Sequence, residues 1–412
     1  MLTGREWRIL ALLFVSSLLN YVDRSTLSVG AVDIQRELGL TTYQLGLLLS
    51  AFFMTYATSQ LFMVAGWFVD RYDVRTVFAT GFFIWSLATG VTGIAQSFVM
   101  IYALRLLLGM GESIAFPSYS RILAMQYPEH HRGLANAIVD AGTKTGPALG
   151  TLIGGLLMAR FGWRVFFLAL GLLSMLWLIP WFRWMPRSTK ADRREERADQ
   201  VGISEILTKR SAWFSAFALF CSNYFWYFLI TWLPAYLEKE RHFSMSKMAV
   251  FGSMSYLAIA SSTMVSGWAT DRLIARGGSP TRVRKTATGV GLTLSTIILP
   301  VVVVRDESVA MALLMAACLS YGIFAPNLFA MTQTMAGPRA AGKWTGFQNG
   351  FGNLAGVAAP AVTGWVVQQT GQFYSAFLVA AVMALSAALL YVFGVGPIRQ
   401  AEFRVRASAR VA

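Results

Sequence analysis

Six ionisable residues stand inside segments that are otherwise apolar. They are Asp23 and Arg24 in "LLNYVDRSTLSV", Arg105 and Glu112 in "RLLLGMGES", and Asp140 and Lys144 in "VDAGTKTG". Acids and bases at such sites can do two kinds of chemistry. An arginine stays protonated and grips a carboxylate through a planar, two-pronged fork. A carboxyl group withdrawn from water can carry a proton, because burial disfavours its charged form. Arg105 and Glu112 are two helical turns apart on one face, about 10.5 Å along the axis, so each needs a partner elsewhere. Asp23 and Arg24 offer one of each sign. Two readings follow: a structural ion-pair network, or a proton relay joined to an anion clamp. Asp140 and Lys144, spaced i,i+4, can neutralise each other. Alternatively, Lys144 faces a cavity as a second cation for a substrate carboxylate.

These groups need elements to hold them, and composition says in what solvent. Hydrophobic residues make up 56% of the 412 and charged residues only 13%, with a mean hydropathy of +0.53. A soluble domain carries about 25% charged residues, so this chain cannot cover a water-facing surface. Apolar runs of about 20 residues, enough to cross ~30 Å of hydrocarbon as helix, recur near 8–30, 45–69, 76–95, 98–121, 134–158, 163–184, 211–237, 248–270, 286–304, 308–334, 343–367 and 373–396. The expected fold is an all-α integral membrane protein of 12 transmembrane helices. No cleavable signal peptide is expected, because the first run is too long and lacks a small-residue cleavage site. A charge at mid-span costs at least ~2.5–3.5 kcal/mol, and the six buried ions all fall in the first half of the chain.

The net charge of +15 does not point to nucleic acid. Basic residues gather in alternate loops: Arg71 and Arg75, Arg132, Arg187 to Arg210, Arg272 to Lys285, Arg339 and Lys343, and Arg399 to Arg410. That alternation follows the positive-inside rule and puts both termini in the cytoplasm. Cys221 and Cys318 both lie within spans, so neither a disulfide framework nor a metal cluster is expected, and no cofactor is implied.

The chain is written twice. "GWFVDR" at 66–71 recurs as "GWATDR" at 267–272, and Gly133, Gly155 and Gly162 recur at one common offset as Gly342, Gly364 and Gly371. The polar stretch between the copies divides the chain into an N-terminal six-helix bundle (1–186), a cytoplasmic linker (187–210) and a C-terminal six-helix bundle (211–412). Paired halves of this kind place a substrate at their interface, near the bilayer midplane.

The doubled Gly-x-x-x-Asp-Arg loop, the twelve spans and the basic central loop resemble the major facilitator superfamily. Within it, "NYVDRSTLSV" (20–29), "LLSAFFMTYATSQ" (48–60), "RLLLGMGESIAFPS" (105–118) and "FGWRVFF" (161–167) resemble the anion:cation symporter family. The resemblance implies that Asp23 and Glu112 are the proton-coupling acids, that Arg24 helps to bind the anion and that Arg105 tunes Asp23. It also implies that Tyr21 and Tyr56 touch substrate and that Asn349 binds a substrate hydroxyl. Related sugar-acid carriers tend to have an amide near Thr143, and many relatives carry tryptophan where this chain has Phe329. Tyr224 and Tyr227, with Asn223, Gln348 and Asn353, offer further polar groups on the second half, either for substrate or for helix-to-helix hydrogen bonds. Asp70, Arg71 and Arg75, and their copies Asp271 and Arg272, are expected to latch the cytoplasmic side. Asp73 stands where the family usually has glycine, a position that asks for left-handed backbone.

The function expected is proton-coupled uptake of a small organic anion, such as a sugar acid or other carboxylate, by alternating access. The setting would be the cell inner (cytoplasmic) membrane, with a functional monomer among lipid. A drug or cation exporter is disfavoured, since protonating Asp23 and Glu112 leaves the buried site net positive. Sodium could replace the proton as driver. An enzyme is not expected: His130, His131 and His242 sit in loops, and no nucleophile–base pair or nucleotide loop is present.

Overall fold

With no water in hydrocarbon to satisfy them, the backbone N–H and C=O groups of each apolar run must pair within the run. The computed structural model meets that demand with helices. It describes residues 3–62, 64–126, 129–186 and 202–403, and no strand occurs among them. The side chains of 66, 70, 124, 129–134, 136, 137, 144, 329, 338, 339, 341 and 342 are not among those described.

In the first half, α1 spans Gly4–Val29, α2 Ala31–Glu37, α3 Thr42–Leu61, α4 Val64–Arg71, α5 Val74–Thr92, α6 Phe98–Ser113, α7 Ala115–Gln126, α8 Glu129–Leu176 and α9 Leu178–Trp184. In the second half, α10 spans Ile203–Leu207, α11 Arg210–Lys239, α12 Met245–Ala275, α13 Pro280–Ser295, α14 Ile298–Val303, α15 Glu307–Asn353, α16 Ala355–Thr370 and α17 Tyr374–Leu389. Local chemistry sets the starts. Thr3 and Thr41 each form a capping box with the residue three positions on, and Ser97, Ser244 and Asp306 accept from their helices' first free N–H groups.

Each of the twelve apolar runs falls largely within helix. Among the described residues, nine helices are long and apolar enough to cross a membrane. One of these, Ile138–Trp184, turns at Gly162, where φ is 77°. Helices α1 and α3 are long enough but more polar, because they carry Asn20, Tyr21, Asp23, Arg24, Tyr56 and Gln60. Part of the expected linker is ordered: residues 203–207 form α10, whose Ile206 is buried. Residues 187–201 lie outside those described.

The glycine repeat has a structural counterpart. Gly162 and Gly371 both take positive φ, 77° and 68°, at the turns following α8's first arm and α16. Gly155 abuts Ala249 of the other half, and Gly364 abuts Gly46 of the other half. Small residues at these crossings let backbones approach closely. The same logic binds α8 to α1. Gly142, Gly146 and Gly150 lie one turn apart, and a Cβ at Gly146 would come within 2.6 Å of Tyr21 Cβ.

The halves also meet through hydrogen bonds, most of them toward the end opposite the chain's first residues. Ser28 Oγ donates to Ile230 O at 2.7 Å, Ser50 Oγ to Val357 O at 2.9 Å, and Tyr43 N to Gln368 Oε1 at 2.8 Å. Lys239 Nζ donates to Gln35 Oε1. Asp73 departs from expectation. It caps α5 at φ −64°, ψ 117°, so the turn uses extended backbone and needs no glycine.

Candidate functional site

Neighbouring residues on a helix point roughly 100° apart, and α1 uses that angle to send its acid and base to different partners. Asp23 faces α5, where Thr89 Oγ1 donates to its Oδ1 at 3.2 Å. Arg24 faces α3 and α6. Its Nε lies 2.9 Å from Glu112 Oε2, and both side chains are buried. Arg24 also lies over three rings: Tyr21 at 4.5 Å, Tyr56 at 4.4 Å and Phe52 at 4.9 Å from the ring centres. Such faces attract a guanidinium. Arg105, also buried, lies 5.3 Å from the centre of the Phe52 ring.

Four residues separated by up to 89 positions therefore converge on one point. Their bonding capacity is not used up. Asp23 Oδ2, Arg24 Nη2, Arg105 Nε and Glu112 Oε1 are buried with no hydrogen-bond partner among the described residues. A buried polar group left unpaired costs about 1–3 kcal/mol, more if charged, so these atoms are where a further hydrogen-bond partner would be most favourable.

The second half closes the site with neutral groups. Phe53 packs on Tyr227 with ring centres 4.3 Å apart, and the Tyr227 hydroxyl donates to Asn353 Oδ1. Asn349 and Asn353 both donate from Nδ2 to Gln60 Oε1, at 3.3 and 3.2 Å. Tyr224 is buried nearby on α11. Gln348 is employed within its own half, accepting from Thr332 at 2.5 Å and donating to Ser215 O at 3.2 Å. Gln348 thus serves helix-to-helix bonding.

The other expected site residues divide. Thr143 turns its hydroxyl to Asp140, reaching the carbonyl at 2.7 Å and Oδ1 at 3.1 Å. The side chains of Lys144, Phe329 and Asp70 lie outside those described. Among the described residues, Arg75 meets no cross-helix carboxylate. It donates to Phe182 O of α9 and lies over the Phe182 ring, and Trp181 Nε1 donates to Arg75 O at 3.0 Å. Asp271 accepts from Arg284 Nη2 of α13 at 3.1 Å, while Arg284 Nη1 donates to Asn327 at 3.3 Å. Arg71 and Arg272 each lie 5.4 Å from the tryptophan one turn back.

Two hydrogen-bond partners of these residues were not singled out in the sequence. Thr89 has no motif around it to mark its role. Gln60 did carry a signal: it follows Tyr56 by one turn in a helix otherwise rich in small and apolar residues.

A transporter architecture is what this geometry describes: two packed helical halves with a charged, buried cluster beside their interface. A profile of the Major Facilitator Superfamily matches residues 13–360, and the chain belongs to that superfamily. It is 28% identical over 403 residues to the hexuronate transporter of Bacillus subtilis (strain 168), covering 95% of this chain and 94% of that one. It is 30% identical over 402 residues to a probable sulfoacetate transporter of Cupriavidus necator, covering 93% of each. Among solved structures, a bacterial homolog of the human lysosomal transporter Spinster, inward-facing and unoccupied, matches with a TM-score of 0.83. That match covers 96% of this chain and 98% of the other at 18% identity, and it speaks to the fold alone. The chain is a multi-pass membrane transporter and not an enzyme.

Proposed function

We propose that this chain takes up a small organic anion, a sugar acid or similar carboxylate, together with protons, by alternating access across the cell's inner membrane. It works as a monomer in lipid. The observation that carries the reading is the buried Arg24–Glu112 pair inside a box of Tyr21, Phe52 and Tyr56. A proton on Glu112 cancels its charge and frees the guanidinium fork, which then suits a substrate carboxylate. Loss of that proton restores the pair and expels the anion. Asp23, beside Arg24 in sequence and held by Thr89 of α5, carries a second proton under the influence of Arg105. The names of the relatives support an anionic cargo, since hexuronate and sulfoacetate are both anions.

Substrate contacts on the second half are assigned to Tyr224, Tyr227, Phe329 and Asn349, and on the first to Tyr21, Tyr56, Thr143 and Lys144. Asp70, Arg71 and Arg75, with Asp271 and Arg272, are assigned to gating at the end bearing the termini.

The test is uptake into proteoliposomes of a panel of sugar acids, dicarboxylates and aromatic acids under an inward proton gradient. At least one acid should accumulate above equilibrium and lose that accumulation on adding a protonophore. Accumulation driven only by sodium, or proton-linked efflux of organic cations without anion uptake, would overturn the reading.

A further inference from the structure

Helix α3 presents Phe53, Tyr56 and Gln60 at i, i+3 and i+7, one continuous face. Tyr56 supports Arg24 and Phe53 packs on Tyr227, so this face borders the ion cluster. Gln60 lies about 15 Å along the helix from Ser50, toward the end that bears the termini. Of the other described hydrogen bonds between the halves, those at Ser28, Gln35 and Tyr43 lie toward the opposite end and that at Ser50 lies between. On Gln60's side of the site, the two bonds from Asn349 and Asn353 are those that cross between halves among the described residues.

One neutral carbonyl oxygen therefore receives both amide donors that the second half turns toward the first. Asn353 is in turn fixed by the Tyr227 hydroxyl. Gly350, between the two asparagines, lies against the backbone of Leu61, with room for close contact. Residue 59, beside Gln60, is tied to the far side: Ser113 Oγ donates to Ser59 Oγ at 3.0 Å, one residue beyond Glu112. A substrate hydroxyl or carboxylate oxygen is an acceptor of the same kind for these donors.

We infer that Gln60 is an internal stand-in for substrate: it holds Asn349 and Asn353 when the site is empty and lets the unloaded carrier close. The inference rests on the transport reading above. A carrier performing net uptake must return empty, whereas a carrier exchanging labelled for unlabelled substrate crosses loaded both ways. Buried amide donors without an acceptor would make the empty closed state costly. Gln60 supplies an acceptor that adds no charge to a cluster whose charges are already assigned. A ligand shifts such an equilibrium only by its differential affinity for the two states. The latch therefore favours the empty return at some expense of substrate affinity, because substrate must displace it.

The experiment compares net uptake with exchange in proteoliposomes for wild type and Gln60→Ala, using whichever acid the wild type carries. Net uptake should fall at least about tenfold, exchange should stay within about threefold, and half-saturation of exchange should move to lower concentration. Gln60→Glu, whose carboxylate grips the amides more firmly, should slow both modes. Hydrogen–deuterium exchange of the substrate-free protein supplies an independent reading: residues 343–353 should exchange faster in Gln60→Ala than in wild type. Equal loss of both transport modes in Gln60→Ala, or unchanged deuterium uptake in 343–353, would overturn the latch. Failure of the wild type to carry any acid would instead overturn the proposed function, with the deuterium measurement still deciding the latch.

Discussion

The loop motif is built the same way in both halves, with Arg71 on Trp67 and Arg272 on Trp268 at the same 5.4 Å. The helix crossings at Gly155 and Gly364 match as well. At depth the halves part company. The first buries Asp23, Arg24, Arg105 and Glu112, while the second buries Tyr224, Tyr227, Gln348 and Asn353. A duplicated scaffold does not require duplicated chemistry. Charges in hydrocarbon are expensive and tolerable when they neutralise one another, so concentrating them in one half lets each ion serve as another's partner. The neutral half can then vary its hydrogen-bonding groups without stranding a charge. In the proposed function, this division assigns coupling to the first half and shares recognition between the two.

The strongest challenge to that division is Arg24→Ala. Two charge-assisted hydrogen bonds, about 1.5–3 kcal/mol each, are lost to the anion, so binding should weaken at least ~100-fold in a protein that still extracts and folds. Arg24→Lys should rescue poorly, because an ammonium is not a planar fork. Binding within about threefold of wild type after Arg24→Ala would remove the clamp from the first half.

Glu112→Gln separates binding from coupling. The amide mimics the protonated acid, so exchange should persist while accumulation under a proton gradient falls to equilibrium. Continued uphill uptake would place coupling outside Glu112.

In the neutral half, Asn349→Ala removes one uncharged hydrogen bond, about 0.5–1.5 kcal/mol. Substrate binding should weaken by up to about tenfold, and the dependence of uptake on pH should not move. A changed pH profile would mean that the second half shares in coupling.

The smallest effect is expected at the rim, beyond the membrane-spanning helices. Arg164 and Trp163 donate to Glu37 at 2.8 and 2.7 Å, and hydrogen bonding first from Arg164 and then from Trp163 holds that carboxyl below its usual 4.5. The folded protein therefore binds this proton less readily than the unfolded chain. The clamp's contribution is complete above pH ~4.5 and is lost as pH falls through the lowered value. Wild type should melt slightly higher than Glu37→Gln at pH 7, with the gap closing toward pH 3. A gap independent of pH would show that Glu37 acts by packing alone.

Much of this was legible in the residue string. The apolar runs, the repeat and the clustering of ions in one half all appeared before any coordinates, because hydrocarbon leaves helices as the available spanning form and makes every buried charge conspicuous. Asp23, Arg24, Arg105 and Glu112 were identifiable for that reason. The signal was weaker for uncharged groups, since a threonine or glutamine in a span is unremarked until its partner is known. Thr89 and Gln60 belong to that class. Asp73 misled for a related reason: the family pattern calls for a special backbone, whereas this turn is made with extended angles.

The sequence by itself determined the solvent, the helices, the doubling and four of the buried ions, Asp23, Arg24, Arg105 and Glu112, which follow from composition, period and the cost of desolvation. Asp140, expected at depth, is exposed. Only the tertiary structure decided the pairings. Asp23 turned to Thr89 and Arg24 to Glu112 because one step along a helix swings a side chain by roughly 100°, and which neighbour waits in that direction depends on packing. The same holds for Gln60: whether its amide meets lipid, water or two asparagines is set by how the halves close, which no single helix encodes.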